Sequence, residues 1–264
     1  MQALGQLTLG QLTSASESEA EVVFDAWKEH MQLLIDCGDK DNLKKAEVAL
    51  LKAVTDGIEI GTSTMSNTPS QQAMVLYLLA RAYVKLKDWE SAESKLNEAL
   101  EIRKDVDVAK DKEVPKMVSL QGQIYMGKEE YEKAMEKHQK AKRLREDLFG
   151  KDHQEVAASL SNISKVHRMQ KNFAQAKQAL EEAYKIQRDR LGKRHKYVAM
   201  TEKDMGSLLR EMGEEQAAKE SIKKAVATLK IIQAEGRDEV STHTLTHTHT
   251  STHTSTYTST HIQS

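Results

Sequence analysis

The sequence predicts an all-α protein, an α-solenoid of helix–turn–helix hairpins stacked on one another. Three observations carry this expectation. The chain repeats itself at a step of 42 residues, so that "LFGKDHQEVA" (148–157) returns as "RLGKRHKYVA" (190–199). Small side chains hold three columns of that repeat: Ala80, Gly122, Ser164 and Gly206; Ala92, Ala134, Ala176 and Ala218; Ala99, Ala141, Ala183 and Ala225. Charged residues make up 30% of the 264, aromatics only 5%, and prolines are confined to Pro69 and Pro115, a balance that suits long helices.

Small residues let two helix axes approach closely, because a bulky side chain at the crossing forces them apart. In the frame beginning near residue 72, Leu76, Leu79, Ala80 and Tyr83 recur at helical intervals and form the apolar stripe of one helix. After a break at Lys87-Asp88, Trp89, Ala92, Leu96 and Ala99 form the stripe of a second. Neither helix buries its stripe alone, so hairpins must stack. Ahead of this frame, 20–37 and the run Leu43, Ala46, Leu50 and Ala53 read as a diverged first hairpin. Its distance from Ala46 to Ala92 exceeds the repeat step, and the surplus falls in the loop "GTSTMSNTPS" at 61–70. In the next frame Pro115 stands in the first turn of a helix, where a missing N–H costs little.

Between hairpins, Gly150 and Gly192 read as αL helix stops, and His153 and His195 as turn residues that hydrogen-bond backbone at a helix start. His138 and His167 fall in core columns. In the last frame Glu215 replaces the aromatic of positions 89, 131 and 173, Lys219, Glu220, Lys223 and Lys224 give the closing helix a polar outer face, and Gly236 marks its stop. The predicted organisation is a flexible N-terminus over 1–20, about five hairpins over 21–236, and a disordered Thr/His/Ser-rich tail over 237–264. Five of the ten histidines lie in that tail; the alternation of Thr and His reads as a coding repeat, not as a metal-binding tract.

The formal net charge of −1 supplies no bulk field to attract nucleic acid or an acidic membrane. No run approaches the roughly 18 apolar residues of a membrane span. The N-terminus lacks the basic region of a secretory signal. The lone Cys37 forms no internal disulfide, which favours a reducing, cytoplasmic setting, and it reads as inert packing in an apolar stripe. No glycine-rich phosphate loop, H-E-x-x-H, cysteine pair or G-x-S-x-G occurs, so the chain is read as a non-enzyme with no catalytic residue, no metal site and no cofactor.

The pattern Ala80–Tyr83–Trp89–Ala92–Ala99 resembles the tetratricopeptide repeat family, and the 42-residue form with G-x-x-H between hairpins is similar to the repeats of kinesin light chains. Two departures stand out. Gln154 and Lys196 follow the histidines where that family usually has proline, and 1–70 holds no sustained heptads. The resemblance implies a right-handed solenoid and a non-enzymatic adaptor that binds a peptide segment of a partner. In stacked hairpins the first helices line the inner face. Their non-core stripe contains Tyr77, Leu78 and Arg81, then Lys116, Leu120 and Gln123, then Asn162, Lys165 and Arg168, then Met200, Lys203, Asp204 and Arg210. The peptide-binding candidates are Tyr77, Arg81, Lys116, Gln123, Asn162, Lys165, Arg168, Lys203 and Arg210. Asn162 matches the asparagine with which the family holds a ligand's backbone. Met200 and Asp204 stand where a carboxylate clamp needs Lys and Arg, so no such clamp is expected. Basic residues mixed with apolar ones suit a protein or peptide partner with acidic and apolar side chains, bound near micromolar, about −8 kcal/mol. The alternative is a structural spacer or self-associating element acting through convex or end surfaces.

Overall fold

The structure, a computed structural model, describes residues 17–55, 58–60, 63–65, 68–104 and 111–253. Its ten described helices follow in five consecutive pairs: α1 (Glu17–Cys37) and α2 (Lys40–Thr55), α3 (Pro69–Leu86) and α4 (Trp89–Ile102), α5 (Val114–Gly127) and α6 (Tyr131–Phe149), α7 (Gln154–Met169) and α8 (Phe173–Leu191), α9 (Lys196–Glu211) and α10 (Glu215–His253). Two compact units divide them: Met1–Lys151 with α1 to α6, and Asp152–Ser264 with α7 to α10.

Each hairpin closes on its small residues. Ala92, Ala134, Ala176 and Ala218 are 0, 0, 0 and 2% exposed, and the second alanine column is as deeply buried. In the column at 80, 122, 164 and 206, the two glycines face large side chains sixteen residues on. Gly122 lies against the imidazole of His138; a Cβ there would come within 2.5 Å of the ring. A Cβ on Gly206 would lie 2.6 Å from Ile222 Cγ1. The hydroxyl of Ser164 donates to the carbonyl of Ala176 at 2.8 Å, across the crossing of α7 and α8. His138 is therefore fully buried, as its column requires.

The core is continuous from hairpin to hairpin within the first unit. Phe24, Met31, Ile35, Leu43 and Leu50 pack with Val75, Leu78 and Leu79 on α3, while Leu76 and Ala80 on the same helix pack forward with Leu96, Met117 and Leu120. A helix inside a stack is thus apolar on two opposed sides, and this overturns part of the expected inner stripe: Leu78 and Leu120 are core residues. In the second unit Val156, Leu160, Ala183 and Ile186 form one cluster, and Ala176, Leu180 and Leu208 another.

The turns repeat as faithfully as the helices. Lys87, Glu129, Lys171 and Gly213 all have positive φ, at 61°, 63°, 61° and 83°, and they lie 42 residues apart. After each, the next N–H reaches back to the carbonyl five residues earlier: Asp88 to Tyr83, Glu130 to Tyr125, Asn172 to His167 and Glu214 to Leu209. This is the bond of a Schellman motif. Between hairpins, Gly150 (φ 84°, ψ 159°) and Gly192 (φ 79°, ψ 165°) also end helices. They do so in a nearly glycine-only extended region and not in the expected αL well. His153 Nδ1 accepts from the amide of Glu155 and His195 Nδ1 from that of Tyr197, each at 3.2 Å, so both cap the following helix.

Four differences from the sequence reading follow. Within the expected loop and just before it, Ile58–Ile60 pairs antiparallel with Ser63–Met65, a small ribbon favoured by its β-branched residues. α10 runs through Gly236 to His253, where a stop and an unstructured tail from 237 were expected; one glycine costs a helix about 1 kcal/mol and no proline follows to block it. The rest of the expected tail, 254–264, and the first 16 residues of the expected flexible N-terminus lie outside the described residues. The closing helix is not evenly polar, since Val226, Leu229 and Ile231 are exposed. Cys37 is exposed at the end of α1 and is not packing in its stripe.

Three outcomes test this packing. Gly122→Ala should destabilise the protein by about 1–3 kcal/mol in urea unfolding, because the His138 ring must move. Lys171→Gly should stabilise it by about 0.5–1 kcal/mol, because only glycine adopts that turn without strain. Burial holds the imidazole of His167 below its usual pKa of 6.5. The folded state therefore favours the neutral form, and stability present above about pH 6.5 should be lost as pH falls and the unfolded chain takes up the proton first. His167→Tyr, which restores the residue of Tyr83 and Tyr125, should show a smaller fall in Tm between about pH 7.5 and about pH 5.5.

Candidate functional site

The nine predicted peptide-binding residues divide between the two units. In the first, Tyr77 is half-buried and packs against the core. Arg81 is already engaged. Its guanidinium donates to Asp36 Oδ1 at 2.8 Å and to Gln32 Oε1, and lies 5.9 Å from the centroid of Tyr77. Gln32 and Asp36 sit one turn apart on α1, so the diverged first hairpin neutralises the cation that the column pattern offered to a ligand. Lys116 donates at 2.8 Å to Glu113, the residue that precedes its own helix, and Gln123 is exposed. As a charged ligand surface this half is weaker than its sequence reads.

The second unit keeps its positive face. On α7, Lys165 is exposed and reaches Asn162 Oδ1 at 3.5 Å. Arg168 Nε is 3.7 Å from Glu211 Oε2, a loose pair that links α7 to α9. On α9, Lys203 and Arg210 are exposed, and among the described residues no carboxylate pairs with either. Large apolar side chains stand beside these cations: Met169, 49% exposed, follows Arg168, and Met200, 54% exposed, is one turn before Lys203. The expected stripe included Met200 and omitted Met169.

Other charged groups serve the scaffold. Arg103 and Asp111 form a buried pair; Arg103 also donates to Ser70 Oγ at 2.9 Å, and Asp111 accepts from the amide of Glu113 at 2.8 Å. The set ties the starts of α3 and α5 to the end of α4. Glu93 accepts from Lys128 at 2.7 Å and from the Tyr125 hydroxyl at 2.9 Å. The hydrogen bond from Lys128 holds the Glu93 carboxyl below its usual range, and burial raises the pKa of Tyr125. These sets were missed in the sequence, although Arg103, Arg145 and Gln187 form a 42-residue column of buried polar residues that was there to be read. Among the described residues no group of His, Cys, Asp and Glu is arranged to hold a metal ion, and no helix is long and apolar enough to cross a membrane.

Comparison with known proteins adds the type of repeat. Tetratricopeptide repeat models match residues 75–109 and 115–189. No curated protein matches the chain. Among solved structures, BtubC (BKLC) from P. vanneervenii superposes with a TM-score of 0.62 at 18% identity, over 81% of this chain and 84% of its own. A putative kinesin light chain with nearly identical TPR-like repeats from Podospora anserina gives 0.60 at 16% identity, over 80% and 98%. Bacillus thuringiensis PlcR, solved with a peptide and DNA, gives 0.63 at 16% identity, over 88% and 77%. At these identities the likeness is one of fold, an all-α repeat solenoid. The repeat models, the 42-residue columns and the hairpin geometry agree that residues 75–109 and 115–189 are tetratricopeptide repeats.

Proposed function

We propose that this protein is a non-enzymatic interaction scaffold whose second unit captures a peptide segment with acidic and apolar side chains. The observation that carries the reading is the alternation on α7 and α9 of exposed cations (Lys165, Lys203 and Arg210) with exposed methionines (Met169 and Met200). Methionine is polarizable and adaptable, so it packs against varied apolar side chains, while the cations select acidic neighbours. Asn162 is the candidate for a hydrogen bond to the ligand's backbone, and Arg168 exchanges Glu211 for a ligand carboxylate. PlcR, of this fold, was solved with a bound peptide, and a Rap protein of this fold with Competence and Sporulation Factor. Tyr77, Arg81, Lys116 and Gln123 are assigned a lesser part, since Arg81 is held by α1. The lone thiol, Cys37, is free and exposed, which suits the cytoplasm.

A second reading rests on the end helices. Val22 and Leu33 on α1 and Val226 and Leu229 on α10 are exposed. α1 carries Glu21, Asp25 and Glu29, whereas α10 carries Lys219, Lys223 and Lys230 alongside Glu215 and Glu220. Opposite charge around apolar residues suits head-to-tail association of copies.

A fluorescein-labelled peptide alternating Asp or Glu with Leu or Met, titrated with the full chain, separates the two. Binding near micromolar is expected, weakening at least about tenfold in Lys165→Glu/Arg168→Glu with helicity unchanged, and falling with added salt. Binding that ignores the charge reversal contradicts the assignment of this face. A sedimentation coefficient that rises with protein concentration while no peptide binds favours the second reading.

A further inference from the structure

In the second unit α8, α9 and α10 enclose a cleft of about 260 Å³, away from the cations just described. Glu202, on its wall, stands in a column that the three preceding frames fill with an aliphatic residue: Leu76, Val118 and Leu160, all buried. The stack needs no carboxylate there. Glu202 Oε1 accepts from the Tyr184 hydroxyl at 3.2 Å. Oε2 is sealed from solvent, and no described group donates to it. A buried carboxylate oxygen without a donor costs stability, so the last hairpin keeps an arrangement that weakens its packing. Clefts of this kind, with an unmet polar group among apolar walls, are where ligands bind.

The chemistry of the lining names the ligand class. The unmet group is an anionic acceptor, so the ligand brings a cationic N–H donor. Glu181, exposed on the lining, adds a second negative charge. The lining cation Lys224 pairs with Glu220, 3.0 Å away on its own helix, and also lies within the field of Glu202. Met205 and the Tyr184 ring, both half-buried, offer apolar surface for a short alkyl chain. Arg188 lies 5.9 Å from the centroid of that ring and does not line the cleft.

We propose that this cleft binds a primary ammonium group on an alkyl chain, toward which the Glu202 carboxylate turns so that Oε2 gains its missing donor, with Met205 and Tyr184 against the chain. The ammonium is carried by a free alkylamine or by a lysine side chain of a partner.

The test uses the full chain, titrated with n-butylammonium, with a Gly-Lys-Gly peptide blocked at both ends, and with neutral n-butanol, and followed by amide NMR shifts at 201–205 and 221–224. Saturable shifts are expected with at least one of the two ammonium probes and none with butanol. Glu202→Gln should weaken binding by about tenfold or more, and Lys224→Met should tighten it a few-fold by removing a like charge. Glu202→Leu should abolish binding and raise Tm, because the aliphatic column is restored. A peptide bound about tenfold tighter than butylammonium assigns the site to a partner's lysine; the reverse order assigns it to a free amine. No saturable shift with either ammonium probe at tens of millimolar, or affinity unchanged in a folded Glu202→Gln variant, overturns the proposal. Neither result bears on the α7 and α9 face, which the acidic peptide tests separately.

Discussion

Close approach of two helices at a small-residue crossing is the constraint on which the rest depends. Where Ala92, Ala134, Ala176 and Ala218 meet the column of Ala80, Gly122, Ser164 and Gly206, the axes come near enough for larger neighbours to interlock around them. At two crossings there is no room for even one more carbon. That intolerance fixes the register of each hairpin, which in turn fixes which side chains face the next hairpin and which face water. The Schellman turns at Lys87, Glu129, Lys171 and Gly213 reverse the chain toward the crossing with the same hydrogen bond each time. Three of the four positions hold a left-handed backbone without glycine, so the packing beyond the turn outweighs a local strain of order 1 kcal/mol.

Much of this was legible because a repeat shows its packing in columns. Positions 92, 134, 176 and 218 report one physical situation four times, so a chance alanine is set apart from a required one. The histidine caps at 153 and 195 were legible for the same reason. What columns do not show is an interaction specific to one frame. Arg81 reads as a free cation by its column, yet Gln32 and Asp36 of the diverged hairpin engage it. Leu78 and Leu120 read as inner-face residues until α3 and α5 are seen to pack on two sides. The ribbon at 58–65 and the continuation of α10 past Gly236 depend on local backbone preferences that no 42-residue comparison contains.

The same logic locates function. Residues that obey their column serve the stack, and residues that break it without a packing reason are free to do something else. Glu202 breaks an aliphatic column inside the second unit. Met169, Met200, Lys203 and Arg210 lie outside the core columns and combine exposed apolar surface with positive charge. The tetratricopeptide repeats agree with an interaction role, and the ligand proposals rest on these departures and not on the fold, which serves many partners.

The central claim is that the helix crossings at the small-residue columns hold the protein together, and amide hydrogen exchange on the intact chain tests it most directly. The account predicts that amides around Ala92, Ala134, Ala176 and Ala218 are among the slowest to exchange in their hairpins, opening only in large cooperative units, while the turns at 87, 129, 171 and 213 exchange early. Exchange at any of the four alanine crossings as fast as at those turns would contradict it.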